Sequence, residues 1–256
     1  MWQDVKMLNA VSSALFALVL LALAASGLWW VAQRPMFTLH SIRIESASEL
    51  PLEKINALTV RASAVPRIRG NFFTTDLSAV RAAFEAVPWV RRAMVRREWP
   101  DRLVVQIEEH KALGTWGEDG KLLSQKGDVF TANLGEAEDD GELLEFDGPD
   151  GSEKQVVARL AQFRQWFAPL KLEPESLVLS NRYAWTLRLD NGMTVELGRD
   201  QGDAVLKERV DRLVAVYPQL VERLQGKIES VDMRYPNGMA LRADGMVLAA
   251  LNGKKK

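Results

Sequence analysis

Cysteine is absent from this 256-residue chain, and histidine occurs only twice, at His40 and His110. The lack of cysteine excludes disulfide bonds, thiolate metal sites and cysteine nucleophiles. Both histidines adjoin strand-like sequence, which favours structural or solvated side chains over catalytic or metal-binding ones. The GxSxG, P-loop and HExxH motifs are also missing. We therefore expect no cofactor, no metal and no catalytic centre of a motif-bearing class.

An excess of charge of one sign is also lacking. The chain has 33 lysine and arginine residues against 34 aspartate and glutamate residues, for a formal net charge of -1. A nucleic-acid-binding protein usually carries a basic excess, so we expect no nucleic-acid partner. With 47% hydrophobic and 26% charged residues, the composition is that of one large or two small globular domains.

A long uncharged run is present near the start, at residues 7–32. It exceeds the ~20 residues that a helix needs to cross a bilayer core, and Trp29 and Trp30 at its end fit an interfacial aromatic belt. A cleaved signal peptide is the alternative, because Ala22-Leu23-Ala24 resembles a cleavage site. The apolar sequence continues well past that point, which favours a retained anchor behind a short head at residues 1–6.

Periodicity in the next segment predicts one strand and two helices. Alternating apolar and polar residues predict a strand from Phe37 to Ser46. Ser48 is placed to cap a short helix that runs through Leu58. Asp76 is placed to cap a second helix, which ends at Pro88.

The segment from Val90 to Glu109 predicts a β-hairpin that turns at Trp99-Pro100-Asp101-Arg102. Its five arginines are Arg91, Arg92, Arg96, Arg97 and Arg102. Four acidic residues reduce the local net charge to +1, so paired arginines on a sheet surface are favoured over an anion site. Glu108 and Glu109 are neighbours on one strand, hence they point to opposite faces and cannot form a catalytic carboxylate pair.

The second half of the chain predicts short strands, an acidic loop at 135–142 and a helix opened by a capping box of Ser152 and Gln155. The core face of that helix would consist of Val156, Leu160, Phe163 and Phe167.

Strict alternation around Asn191-Gly192 predicts a hairpin. A further amphipathic helix is expected to end at Pro218. A last strand pair surrounds Pro236-Asn237-Gly238, and its final strand, Met239 to Arg242, has no later strand to cover it.

Four short motifs in this order resemble the bacterial FtsQ/DivIB family. They are PWVRRAMVRREWPDRL (Pro88 to Leu103), ELGR (Glu196 to Arg199), VYP (Val216 to Pro218) and VDMRYPNG (Val231 to Gly238). The resemblance implies an α+β fold: a transmembrane helix at 7–32, a POTRA domain of order β-α-α-β-β at 37–110, and a mixed β-sheet domain with packed helices at 111–250. A basic tail would occupy 251–256. The head is shorter than in many family members, and Ala243 stands where some carry tryptophan.

The resemblance also implies a function: an essential, non-enzymatic scaffold of the inner membrane at the division septum. Its amino terminus would be cytoplasmic and its bulk periplasmic. Its β domain would bind FtsB and FtsL, other division proteins would dock on the POTRA domain, and the assembly would recruit the septal peptidoglycan machinery. By position, the residues that match the family's FtsB contact are Arg182, Tyr235, Asn237, Gly238 and Leu241.

Two other classes of function stay open at this level. A membrane-anchored wall hydrolase could use carboxylates that the fold brings together, such as Glu196 and Asp232. A POTRA-bearing export accessory is the second alternative, although neither an internal repeat nor barrel-like segments are evident.

Overall fold

The computed structural model of the chain describes residues 2–48, 50–224, 228–235 and 238–243. The chain divides into two compact units, Met1–Glu109 and His110–Lys256. The helices are α1 (Trp2–Ala32), α2 (Ala57–Ala64), α3 (Leu77–Glu85), α4 (Leu134–Glu138), α5 (Glu153–Phe167) and α6 (Asp203–Leu224). The strands are β1 (Ser41–Ser46), β2 (Val90–Glu98), β3 (Arg102–Glu109), β4 (Ala112–Trp116), β5 (Lys121–Ser124), β6 (Val129–Phe130), β7 (Leu144–Asp147), β8 (Pro174–Leu179), β9 (Ala184–Leu189), β10 (Thr194–Arg199), β11 (Ile228–Asp232) and β12 (Ala240–Ala243).

Helix α1 is 31 residues long, which corresponds to about 46 Å at the α-helical rise per residue. Its segment Met7–Ala32 is long and apolar enough to cross a membrane, by length and composition. Apolar side chains are exposed all around this segment, as expected of a helix whose solvent is lipid rather than water.

In the first unit, a three-stranded sheet of order β1-β3-β2 packs against helix α3, and helix α2 packs against α3. Strand β1 runs parallel to β3, and β2 pairs with β3 as an antiparallel hairpin. The chain order is β-α-α-β-β, so the predicted POTRA topology and the α+β class are confirmed. Asp76 caps α3 as expected, because its Oδ1 accepts the Ser78 N–H at 2.8 Å.

The helix predicted from Ser48 to Leu58 is wrong. Helix α2 starts at Ala57 instead, and Asn56 caps it by accepting the Leu58 N–H at 2.8 Å. The side-chain oxygen of Ser48 lies 3.0 Å from that of Ser46 and caps no helix. Both serine and asparagine are good N-caps, so only the path of the chain decided between them.

The second unit is built on a nine-stranded mixed sheet of order β12-β11-β10-β9-β8-β7-β4-β5-β6. Its core lies between the sheet and the helices α5 and α6. The predicted core face of α5 is confirmed, as is the hairpin at Asn191-Gly192, whose flanking apolar side chains are buried. These hairpin residues are Trp185, Leu187, Leu189, Met193, Val195 and Leu197.

In the second unit, the C-terminal end of α6 and the N-terminal cap of α5 differ from the predictions. Helix α6 continues through Pro218 to Leu224; the packing of Leu206, Val210 and Leu213 on the core offsets the hydrogen bond that proline cannot donate. Ser152 forms no capping box, because its backbone is already in the helical region. Its hydroxyl donates instead to the Pro149 carbonyl at 2.6 Å.

Candidate functional site

Strand β12 lies at one edge of the nine-stranded sheet. It pairs with β11 in antiparallel register, with Leu241 opposite Val231 and Ala240 opposite Asp232. Among residues 2–243 that the structure describes, no strand pairs with the other side of β12. Within the described part of the chain its outward backbone groups thus have no strand partner, which is the setting in which an incoming strand can add.

The two faces of β12 differ in burial. Leu241 is half-buried and packs against the core together with Met239 and Ala243. On the opposite face, Ala240 and Arg242 are exposed, and the Arg242 Nε atom lies 3.0 Å from Glu229 Oε2. A partner strand beside β12 would thus meet an apolar side toward the core and a charged side toward solvent.

Tyr235 stands at the start of the connection between β11 and β12, with 55% of its surface exposed. Its aromatic ring is therefore not a core residue. The Nη1 atom of Arg212, on α6, donates to the Tyr235 carbonyl at 3.2 Å and to the Gly238 carbonyl at 3.5 Å. One arginine of α6 thus holds both ends of this connection in place.

The other predicted site residues are Gly238, Asn237 and Arg182, and the structural surroundings of Gly238 and Arg182 differ. A Cβ added at Gly238 would meet nothing within 4 Å, so sterics do not require glycine there. Asn237 lies outside the described residues. Arg182 is exposed in the turn between β8 and β9, and it has no ion pair with any residue that the structure describes.

Strand directions place Arg182 and Tyr235 at the same end of the sheet. Strand β9 starts beside the end of β10, where Ala184 pairs with Arg199. Strand β11 runs parallel to β10, and Met233 donates its N–H to the Glu196 carbonyl at 2.8 Å. The turn that carries Arg182, between β8 and β9, and the connection that carries Tyr235, after β11, therefore lie at the same end of the sheet, with strand β10 between β9 and β11.

Glu196 and Asp232, the candidate carboxylate pair, are brought together on β10 and β11, where they are direct partners in register. Arg234 lies between them, with Nη2 at 2.6 Å from Asp232 Oδ2 and 3.1 Å from Glu196 Oε2. The hydrogen bond from the Arg234 side chain lowers the pKa of Asp232. A general acid needs a raised carboxyl pKa, so this cluster has the electrostatics of an ion-pair network.

The chain makes room for Arg234 by a bulge at Gly198. This glycine has a φ of 77° and interrupts the β9–β10 register. A Cβ at this position would lie 2.8 Å from the Arg234 Cγ atom. The Arg209 side chain donates to the Leu197 carbonyl in the same bulge, so α6 also contacts the end of β10.

The remaining titratable candidates have structural partners. His40 Nδ1 lies 3.1 Å from Asp101 Oδ2, and His110 stacks on Phe130 with ring centroids 4.1 Å apart. Glu109 accepts three backbone N–H groups, from residues 53, 54 and 55. No group of three or more potential metal ligands occurs in the described part of the chain.

Sequence reasoning missed Arg209 and Arg212. Their spacing of three residues on an amphipathic helix places them at neighbouring positions of one face. This spacing is the only feature of the sequence that could have indicated a shared role. Which carbonyl groups they reach depends on how α6 packs on the sheet.

Comparison with known proteins shows two family matches along the chain. The model for the FtsQ-type POTRA domain matches residues 37–110. The model for the cell division protein FtsQ/DivIB, C-terminal, matches residues 114–234. Together they cover most of the chain.

Several curated proteins named cell division protein FtsQ are similar over nearly their full length. The protein from Burkholderia pseudomallei is 55% identical over 246 residues, which is 96% of this chain and 96% of that protein. The one from Bordetella pertussis is 44% identical over 253 residues, with 94% of this chain and 92% of that protein covered. The one from Vibrio cholerae is 30% identical over 237 residues, covering 91% and 86% respectively.

Proposed function

The chain belongs to the FtsQ/DivIB family of cell-division proteins, and we propose that it is a non-enzymatic scaffold that binds FtsB and FtsL. In this role it recruits and regulates the machinery that makes septal peptidoglycan. The observation that carries the proposal is the outer side of β12, which pairs with no strand that the structure describes, next to the exposed Tyr235.

The proposed location is the inner membrane, with α1 as a single span, the short head in the cytoplasm and both folded units in the periplasm. The length and composition of Met7–Ala32 support the span. An alkaline-phosphatase fusion at Lys256 tests the orientation and should be active. Mass spectrometry of the mature chain tests retention of the anchor, and a chain that starts at Ala25 would contradict it.

In the proposed binding mode, a segment of FtsB adds to β12 as a further strand. Backbone hydrogen bonds along the edge supply affinity, and side chains next to the edge supply specificity. Tyr235 is an exposed aromatic anchor that loses little entropy on binding. Arg182 offers a cation to a partner carboxylate, and removing one member of a buried charged contact costs roughly 2 to 5 kcal/mol.

The two units would carry separate tasks. The β domain, 111–250, would hold FtsB and FtsL, whereas the POTRA domain, 37–110, would take part in recruiting other division proteins. This division of labour predicts that substitutions at β12 abolish FtsB binding without changing what the POTRA domain binds.

Capture of FtsB by the full chain tests the edge-strand mechanism. Tyr235→Ala should reduce capture with little change in melting temperature, because the side chain is exposed. Leu241→Glu should reduce capture and also lower the melting temperature, because this residue packs on the core. The matched control is Val129→Glu on β6, the strand at the opposite edge of the same sheet. Full capture by folded Tyr235→Ala and Arg182→Glu variants would rule out this site.

A wall hydrolase is the competing function, and the Arg234 ion pairs on Glu196 and Asp232 argue against it. A zymogram with the purified chain distinguishes the two functions. We expect no clearing of peptidoglycan. Depletion in the native host should give filamentous cells, and a labelled copy should gather at midcell.

A further inference from the structure

Four aromatic side chains form a cluster in the first unit: Phe37, Phe72, Phe73 and Trp99, here called the aromatic cluster. Ring centroids lie 4.9 Å apart for Phe37 and Phe73, and 5.6 Å apart for Trp99 with either Phe37 or Phe72. Phe37 and Phe72 are buried, but 49% of Phe73 and 64% of Trp99 are exposed. The outer side of the cluster is thus an apolar surface with no cover among the described residues.

The aromatic cluster is tied to the end of α1 by hydrogen bonds. The Asn71 side chain donates to the carbonyl of Ala32, the last residue of α1, at 2.9 Å. The Phe72 N–H donates to the Phe37 carbonyl at 2.8 Å, and the Phe37 N–H donates to the Arg34 carbonyl at 3.0 Å. The cluster therefore cannot move far from the point where α1 ends.

The end of α1 also has features of a membrane interface. Trp29 and Trp30 occupy its last turn and are exposed, and tryptophan rings are enriched at the headgroup level. The Arg34 guanidinium lies 3.5 Å over the Trp30 ring centroid, next to where anionic headgroups would be. Met36 is exposed as well and immediately precedes Phe37 of the aromatic cluster.

We propose that Phe73 and Trp99, together with Met36, insert into the interface of the same membrane that α1 crosses. The inference rests on the membrane placement of α1 proposed above. It gives the POTRA unit a second, peripheral lipid contact, which fixes the orientation of this unit relative to the bilayer. Aromatic side chains have a lower free energy in the membrane interface than in water, because their rings are apolar. The indole N–H of Trp99 can still bind a polar partner there.

In this proposal, the turn of the arginine-rich hairpin presents Trp99 to the membrane interface. Trp99 lies in this turn, while Arg97 of the same hairpin donates to the Phe72 carbonyl at 2.6 Å and the Thr75 carbonyl at 2.7 Å. Arg97 thus fixes the loop that presents Phe73 next to Trp99. Met94 is also exposed, but it lies within strand β2 of the same hairpin and not in its turn.

Fluorescence quenching in vesicles tests the proposal, and the absence of cysteine from the chain makes single-cysteine labelling clean. Full-length Phe73→Cys, Trp99→Cys, Met94→Cys and Val19→Cys variants are labelled with an environment-sensitive dye. Each is reconstituted in vesicles of phosphatidylethanolamine and phosphatidylglycerol that contain doxyl lipids. Met94 is the matched control, because it lies in the same hairpin and is 51% exposed. Val19 reports whether α1 is inserted.

We expect a blue-shifted emission and quenching by doxyl groups near the headgroups for labels at 73 and 99, and neither effect at 94. Quenching at 19 without quenching at 73 and 99 overturns this inference and leaves the anchor intact. Absence of quenching at all four positions overturns both this inference and the proposed membrane span of α1. Labels at 73 and 99 that are shielded from aqueous iodide but not quenched by lipid indicate a protein contact, which also overturns the proposal. Thermal melts of all variants verify that the fold is retained.

Discussion

The guanidinium of Arg212 holds the carbonyl of Tyr235 at 3.2 Å, so the backbone next to the exposed tyrosine is attached to helix α6. The same nitrogen reaches the Gly238 carbonyl. Since α6 is fixed by its apolar face on the core, the backbone at Tyr235 and at Gly238 is preorganised. Preorganisation lowers the entropic cost of binding a partner there.

Arg212→Ala should weaken FtsB capture although Arg212 lies behind the proposed contact. Loss of the two hydrogen bonds should destabilise the fold by roughly 1 to 3 kcal/mol. Thermal melting and capture assays measure the two effects. Arg223→Ala is the control, because Arg223 is an exposed arginine of the same helix and should change neither quantity. Unchanged capture by Arg212→Ala would show that the turn does not need this support.

Asp232→Asn should destabilise the protein near neutral pH. The Arg234 hydrogen bond lowers the pKa of Asp232 in the folded state, below an unfolded value of about 3.9. The stabilisation is therefore fully present above this unfolded value and is lost as the pH falls through the folded value.

The difference in melting temperature between the native chain and Asp232→Asn should accordingly shrink as the pH is lowered below about 4. Glu222→Gln, which removes an exposed carboxylate of α6, is the control and should leave the melting temperature nearly unchanged. A constant difference for Asp232→Asn at every pH would refute the ion-pair origin of its effect.

Gly198→Ala should be destabilising, whereas Gly238→Ala should be tolerated. Gly198 has a positive φ, which costs an L-residue about 1 to 2 kcal/mol, and its Cβ would displace the Arg234 side chain. At Gly238 a Cβ meets nothing within 4 Å. Chemical denaturation of both variants tests the contrast, and equal stabilities would contradict it.

Arg97→Gln should reduce stability by roughly 1 to 3 kcal/mol, because two charge-assisted hydrogen bonds to the Phe72 and Thr75 carbonyls are lost. Arg92→Gln, on the exposed face of the same strand, should be close to neutral. Chemical denaturation curves of the two purified single variants, Arg97→Gln and Arg92→Gln, test this difference in stability. If the combined Arg92→Gln and Arg96→Gln variant folds normally but no longer reaches midcell, the hairpin surface is a docking site and not only a paired sheet surface.

Local patterns predicted the elements whose determinants lie within a few residues of each other. The hairpin at Asn191-Gly192, the Asp76 cap of α3 and the apolar face of α5 were predicted in this way. Opposite orientations of Glu108 and Glu109 also followed from strand periodicity alone, and the structure shows them in separate roles. The order of elements along the chain predicted an edge position for the last strand, and β12 lies at the edge among the strands that the structure describes.

The amino-acid sequence by itself determined the long apolar helix α1, the two-unit α+β organisation and the family, because these depend on composition, periodicity and the order of short motifs. Where two local signals in the sequence competed, tertiary structure alone decided which one prevailed. Asn56 rather than Ser48 caps α2, and α6 continues past Pro218, because packing energies outweigh local preferences. Tertiary structure also decided the contacts of Arg212, the contact of Arg234 with Glu196 and the meeting of Phe73 with Trp99. The partners in each of these contacts are distant in the chain and become neighbours only when the sheet and helices pack together.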